Sequence, residues 1–128
     1  LAPIGQYSVH QVGIYQTVFS KETKEEIEHY AKLLQEMGAK NVLVSMGGDG
    51  AFLLDMEGNT HFMPAHKGKV INTVGAGDSM IAGFICKFIE TKDYFDSLKF
   101  AVAAGSATAF SPWIAEASFV CQLSKSLP

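Results

Sequence analysis

Positive charge is scarce in this sequence: ten lysines and arginines stand against thirteen acidic residues, for a net charge of −3. That balance offers no broad basic field of the kind that attracts a phosphate backbone, so nucleic acid is not an expected partner. Long apolar runs are missing as well. No stretch approaches the roughly 20 residues of a membrane span, and no basic-then-apolar signal segment opens the chain, so no membrane partner is expected. The two cysteines, Cys86 and Cys121, lie far apart and make no disulfide framework. Both read as buried thiols of a cytoplasmic protein. Repeats, low-complexity tracts and charged tails are absent too. Two common nucleotide motifs also fail. No Gly-Lys precedes a Ser or Thr, as a Walker loop requires, and Ala51, Phe52 and Leu53 follow Gly50 where G-x-G-x-x-G needs another glycine.

What is present is the composition of a core. An apolar fraction of 48% with 18% charged residues belongs to a globular chain, and 128 residues suffice for one domain or a piece of a larger one. Residues 1–19 mix Gly, Pro and Gln with scattered β-formers, and one strand is expected within 7–15. Ser20 and Thr23 are N-cap candidates, and Thr23 with Glu26 has capping-box spacing. Ile27, Tyr30, Ala31, Leu34 and Met37 then follow one helical stripe, closed by Gly38 at a C-cap position. The unalternated run Val42 to Met46 predicts a strand buried on both faces, as in a parallel sheet covered by helices. Ala51 to Leu54 and Thr60 to Met63 predict two strands joined by a turn at 55–59. Met80, Ile81, Phe84, Ile85, Phe88 and Ile89 predict a second helix with an apolar stripe. A third is expected over 95–110, rich in small residues, and a last over 115–126. The order helix, buried strand, hairpin, helix, helix implies an α/β architecture.

Two glycine loops carry the chemistry. Ser45-Met46-Gly47-Gly48-Asp49-Gly50-Ala51 follows the buried strand; its glycines can bring backbone amides close to a ligand, or simply turn the chain. Thr73-Val74-Gly75-Ala76-Gly77-Asp78 opens a helix, where unpaired first-turn amides and the positive end of the helix dipole favour an anion. Phosphoryl transfer needs such donors, and it profits from a carboxylate placed to take the attacking hydroxyl's proton. Asp78 can fill that role. It can equally do no more than favour the helix N-terminus, and the residues alone leave both readings open.

Taken together, the two loops resemble those of the ribokinase/PfkB family of sugar kinases. Val44 to Ala51 is similar to that family's nucleotide-phosphate loop, and Asn72-Thr73-Val74-Gly75-Ala76-Gly77-Asp78-Ser79-Met80-Ile81-Ala82-Gly83-Phe84 to its C-terminal signature. Asn72, Val74 and the Gly47-Gly48-Asp49-Gly50 loop look most like the branch of 1-phosphofructokinase and tagatose-6-phosphate kinase. The resemblance runs from about residue 20 to 110. It implies the C-terminal part of a ribokinase-like three-layer α/β/α fold, with 1–19 a divergent segment and 20–128 the nucleotide-binding portion. It also implies ATP-dependent phosphoryl transfer to a phosphorylated ketohexose, with ATP and Mg2+ as cofactors. Asp78 would then be the base, Gly75, Ala76 and Gly77 the anion hole, and Ser45, Gly47 and Gly50 the lining along the ATP phosphates. Ala103 to Ala107, with Gly105 and Ser106 at their centre, would border the adenine.

The resemblance has limits. Family members are more than twice as long, and their Lys-Pro-Asn-x-x-Glu stretch would fall near Tyr7 to Val12, where this sequence reads Tyr-Ser-Val-His-Gln-Val. The alternatives are a non-catalytic nucleotide-binding fragment, or a kinase for another sugar or nucleoside. An uncovered apolar sheet edge and face would favour a homo-oligomer. His61 and His66, with Pro64 between them and no acid close by, read as flanking a surface strand, and no metal ligands are assigned. Trp113 reads as cover for a helix end, and Lys67 and Lys69 as solvated more than nucleotide-facing.

Overall fold

The computed structural model describes residues 7–11, 16–19 and 24–125. Its strands are β1 (Tyr7–Gln11), β2 (Gln16–Phe19), β3 (Val42–Ser45), β4 (Ala51–Leu54) and β5 (Thr60–Met63). Its helices are α1 (Lys24–Glu36), α2 (Ala76–Thr91), α3 (Tyr94–Ala109) and α4 (Ala117–Ser124). The sheet order is β2-β1-β3-β4-β5. Segment 7–15 thus holds β1, with β2 following shortly after it where one strand was expected. The N-cap candidates Ser20 and Thr23 lie outside the described residues.

The run at Val42–Ser45 is buried throughout, as its unbroken apolar pattern implies. The expected parallel sheet is not what buries it. β3 runs antiparallel to both neighbours, with Val9 opposite Val44 on one side and Phe52 opposite Val44 on the other. Burial on two faces needs a helical layer on each face, and it is indifferent to strand direction. Those layers are present. Val42, Val44, Phe52 and Leu54 pack with Ile27 and Ala31 of α1 on one side. Leu43, Leu53, Ala51 and Met63 pack with Met80, Phe84, Leu98, Ala101 and Val102 of α2 and α3 on the other. Each fully buried Leu or Phe contributes about 1.5–3 kcal/mol, so the sheet is the energetic centre of the fold.

The α1 stripe is narrower than its spacing suggests. Ile27 and Ala31 are buried and Leu34 half-buried, while Tyr30 and Met37 are exposed. Its end is as expected. Gly38 takes φ 114°, and the amides of Gly38 and Ala39 reach back to the carbonyls of Gln35 and Leu34 at 3.0 Å each. In α2, Met80 and Phe84 are buried and Phe88 is half-buried, but Ile89 faces out. Helices α2 and α3 approach closely because their contact is built from small residues: a Cβ at Gly83 would stand 3.0 Å from that of Ala104. The side chain of Asp93 caps α3, accepting from the Asp96 amide at 2.8 Å.

The β4–β5 turn is held by one buried carboxylate. Asp55 Oδ1 accepts the amides of Glu57 and Asn59 at 2.9 and 3.0 Å, and Oδ2 meets His61 Nε2 at 2.8 Å. The expectation of no acid close to His61 is thus corrected: Asp55, six residues before it at the start of the turn, is its partner. Burial pushes the Asp55 carboxyl up, but the hydrogen bonds from His61, Asn59 and Glu57 outweigh it and hold the group below its ordinary value.

Two further expectations are corrected. Cys86 and Cys121 are exposed free thiols, because each falls on the outer side of its helix. Trp113 is 82% exposed and covers no helix end, since the bend at 111–114 turns it outward. No helix among the described residues is long and apolar enough to cross a membrane.

Candidate functional site

The first glycine loop forms a single 3-10 turn at Gly47–Asp49, directly after β3. The amide of Met46 donates to the Gly50 carbonyl at 2.8 Å, which closes the loop, and Gly50 begins the return into β4. Only glycine fits there. Gly50 has φ 98°, and a Cβ would run into the Met63 carbonyl and stand 2.7 Å from Pro64 Cα.

The second loop bends through Asn72. Its Oδ1 accepts the Val74 amide at 3.0 Å, and its Nδ2 donates to the Pro112 carbonyl at 3.2 Å, tying the loop to the segment after α3. Gly75 is the N-cap of α2 in the left-handed region, with φ 82° and no side-chain cap. The helix therefore begins at Ala76, and Gly77 and Asp78 lie inside its first turn. The Ala76 amide donates to the Thr73 carbonyl at 3.2 Å, whereas the first-turn position leaves the Gly77 and Asp78 amides without an intrahelical acceptor. Asp78 is exposed.

Packing of α2 and α3 on one face of the sheet brings the loops together around one cleft of about 260 Å³. Ser45, Gly47, Gly50, Ala76, Gly77, Gly105 and Ser106 all line it. These seven come from three separate stretches of sequence. Gly105 belongs because a larger residue would close the gap: its Cβ would stand 3.3 Å from the Ala76 carbonyl. Gly75 and Asp78 are not in the lining; they sit on the first turn of the helix that forms one wall.

Thr73, at the head of the second glycine loop, also lines the cleft, and further walls that pattern reading missed are Ala65, His66, Val70, Ala109 and Phe110. The 64–71 connection carries no periodicity, so no pattern in the sequence assigned it to the site. Gly68 makes room for the Phe110 ring, whose Cζ would stand 2.8 Å from a Cβ there. His66 donates its backbone amide to Ser106 Oγ at 3.3 Å, and burial pushes its imidazole pKa down. Lys67 and Lys69 are exposed and do not line the cleft.

The lining suits an anionic ligand with a flat apolar part. Two glycine turns with amides, small side chains and an aromatic ring border the same space. A metal cage is a different matter. Among the described residues no group of three His, Cys, Asp or Glu side chains could hold an ion.

Comparison with known proteins bears on this site. A family model described as pfkB family carbohydrate kinase matches residues 15–115. The chain is 44% identical over 99 residues to the 1-phosphofructokinase of Bacillus subtilis, covering 77% of this chain and 32% of that protein. It is 45% identical over 96 residues to the D-tagatose-1-phosphate kinase of Bacillus licheniformis, covering 75% and 31%. The solved structure of Arabidopsis thaliana ribokinase complexed with ribose and ATP matches with a TM-score of 0.75 at 28% identity, covering 84% of this chain and 36% of that one. The architecture is thus part of a ribokinase-like α/β fold, and the chain spans about a third of the length of the curated relatives it matches.

Proposed function

The chain belongs to the pfkB family of carbohydrate kinases, and from that membership we propose that it forms the nucleotide side of an ATP-dependent kinase acting on a ketohexose 1-phosphate. The observation that carries this reading is the shared cleft, where the Gly47–Asp49 turn, the start of α2 and the small residues of α3 meet. Two relatives named for the 1-phosphates of fructose and tagatose support the substrate class. Tagatose 6-phosphate, the other substrate of the branch the sequence resembles, has less support.

ATP would lie along Ser45, Gly47 and Gly50, with its nucleoside end toward Gly105 and Ser106, and it supplies the phosphoryl group. The amides of Gly75 and Gly77 hold negative charge as it moves between oxygens. The Ala76 amide is already engaged by Thr73, so it joins them only if that turn opens. Asp78, on the same helical turn, takes the proton of the attacking sugar hydroxyl. A magnesium ion would be held chiefly by the nucleotide's phosphates, because the described residues build no cage for it.

A second reading is nucleotide binding without turnover by this chain alone, which its coverage of about a third of its relatives favours. One assay separates the two. ATP, Mg2+ and fructose 1-phosphate are supplied to the purified chain, and ADP release is followed together with ATP binding. Sugar-dependent ADP release supports the kinase, binding without it supports the second reading, and no binding overturns both.

A further inference from the structure

Phe110, the C-cap of α3, is half-buried and lines the cleft. Gly68 lies against its ring: a Cβ there would stand 2.8, 2.9 and 3.0 Å from Cζ, Cε2 and Cε1. Three nearly equal distances place that point over a face of the ring, because an approach from the edge would leave Cζ much the nearest. Gly68 is exposed and is not itself in the lining, so the ring stands between Gly68 and the cleft. We propose that the Phe110 ring is a stacking platform for the base of the nucleotide, backed by Gly68. The inference rests on the nucleotide reading above and assigns to the cleft a contact that the glycine loops do not provide.

Three features favour the base as the part that meets this ring. Among the described residues that line the cleft none is Lys, Arg, Asp or Glu, so a neutral ring meets no unpaired charge there. The phosphates have donors of their own in the turns at Gly47–Asp49 and at the start of α2. Ala65, Gly105 and Ala109 are small, which leaves width beside the Phe110 ring for a second flat ring. Stacking asks only for a π face, so it holds a base without hydrogen bonds to its edge. The platform is also in place before a ligand arrives. The Phe110 amide donates to the Ser106 carbonyl at 2.9 Å, and the Ala109 carbonyl accepts the amides of Ile71 and Asn72 at 2.8 and 3.1 Å. A backbone held on both sides in this way reduces the ordering cost of binding.

The test compares ATP with inorganic tripolyphosphate, which keeps the phosphates and lacks the nucleoside. Calorimetric titration of Phe110→Leu should show ATP affinity about tenfold weaker, the usual scale of one stacked base, with tripolyphosphate affinity unchanged. Gly68→Ala, whose Cβ displaces the ring from behind, should show the same selective loss. Unchanged ATP affinity in Phe110→Leu, or an equal loss for both probes, overturns the assignment. The unmutated protein provides a second measurement should the variant fail to fold. The ring protons of Phe110 should shift upfield on adding ATP and stay put with tripolyphosphate, and no movement with ATP overturns the proposal. If the wild-type chain binds tripolyphosphate and ATP equally, the platform is excluded while the anion site stands; if it binds neither, the nucleotide reading fails and this inference with it.

Discussion

Thr108 Oγ1 donates a hydrogen bond to Ser79 Oγ at 2.9 Å, joining α3 to the residue that follows Asp78. The same oxygen accepts the Ala115 amide at 3.2 Å, so one buried hydroxyl holds α2, α3 and the approach to α4 in register. The placement of the proposed base thus depends on a threonine that touches nothing in the cleft. Thr108→Val keeps the shape and removes both bonds, and should cost about 1–3 kcal/mol in urea unfolding. Thr108→Ser, which keeps the hydroxyl, should lose much less.

Gly50 and Gly58 separate backbone strain from steric exclusion. Both have positive φ, but a Cβ at Gly58 meets nothing within 4 Å, whereas one at Gly50 collides with the Met63–Pro64 backbone. Gly58→Ala should therefore lose about 1 kcal/mol. Gly50→Ala should lose roughly 2–6 kcal/mol, strain and overpacking together, enough to unfold a marginal domain. Circular dichroism with urea midpoints would rank them, and equal losses would refute the collision.

The Asp55 carboxyl is held below its ordinary value in the folded chain. Such a group stabilises the fold above its unfolded pKa of about 3.9, and the contribution is lost as pH falls through the lower folded value. Stability should therefore decline below about pH 4 more steeply in the wild type than in Asp55→Ala. At neutral pH that variant should be less stable by about 1–3 kcal/mol, because two amides and His61 lose their acceptor. Thermal unfolding across pH 3 to 7 reads both effects.

Asp78 is exposed and makes no cap to its own helix, so its neutral amide should leave the fold intact. In a chain that turns over, Asp78→Asn should lower kcat by about 10²–10⁴-fold, the usual contribution of a general base, with ATP affinity near wild type. Turnover that survives the substitution would remove Asp78 from that role.

The elements most legible in sequence were those governed by neighbours along the chain. The α1 stripe and its Gly38 stop, the 51–63 hairpin and the start of α2 follow from period, turn chemistry and glycine conformation. Elements governed by distant contacts were read less well. Strand direction at Val42–Ser45 is not legible, because a doubly buried strand shows the same apolar run in either sense; its pairing is antiparallel on both sides. Residue type points Cys86 inward and the Ser-Pro before Trp113 suggests that residue as cover for a helix end, but the side of α2 and the bend at 111–114 leave both exposed. The 64–71 wall of the cleft had no periodic pattern to read.

The sequence by itself carried the two glycine loops, through residue types and local spacing, and with them the resemblance to the family; Gly105 and Ser106 came from that resemblance alone. Only the tertiary structure decided that seven of these residues share one cleft, that the Ala76 amide is already occupied, and that Phe110 lines the same cleft with Gly68 against its ring. The reason is physical. Local conformation is set by torsions and near neighbours, whereas a cavity is the space left when helices and sheet pack, and no single segment carries its shape.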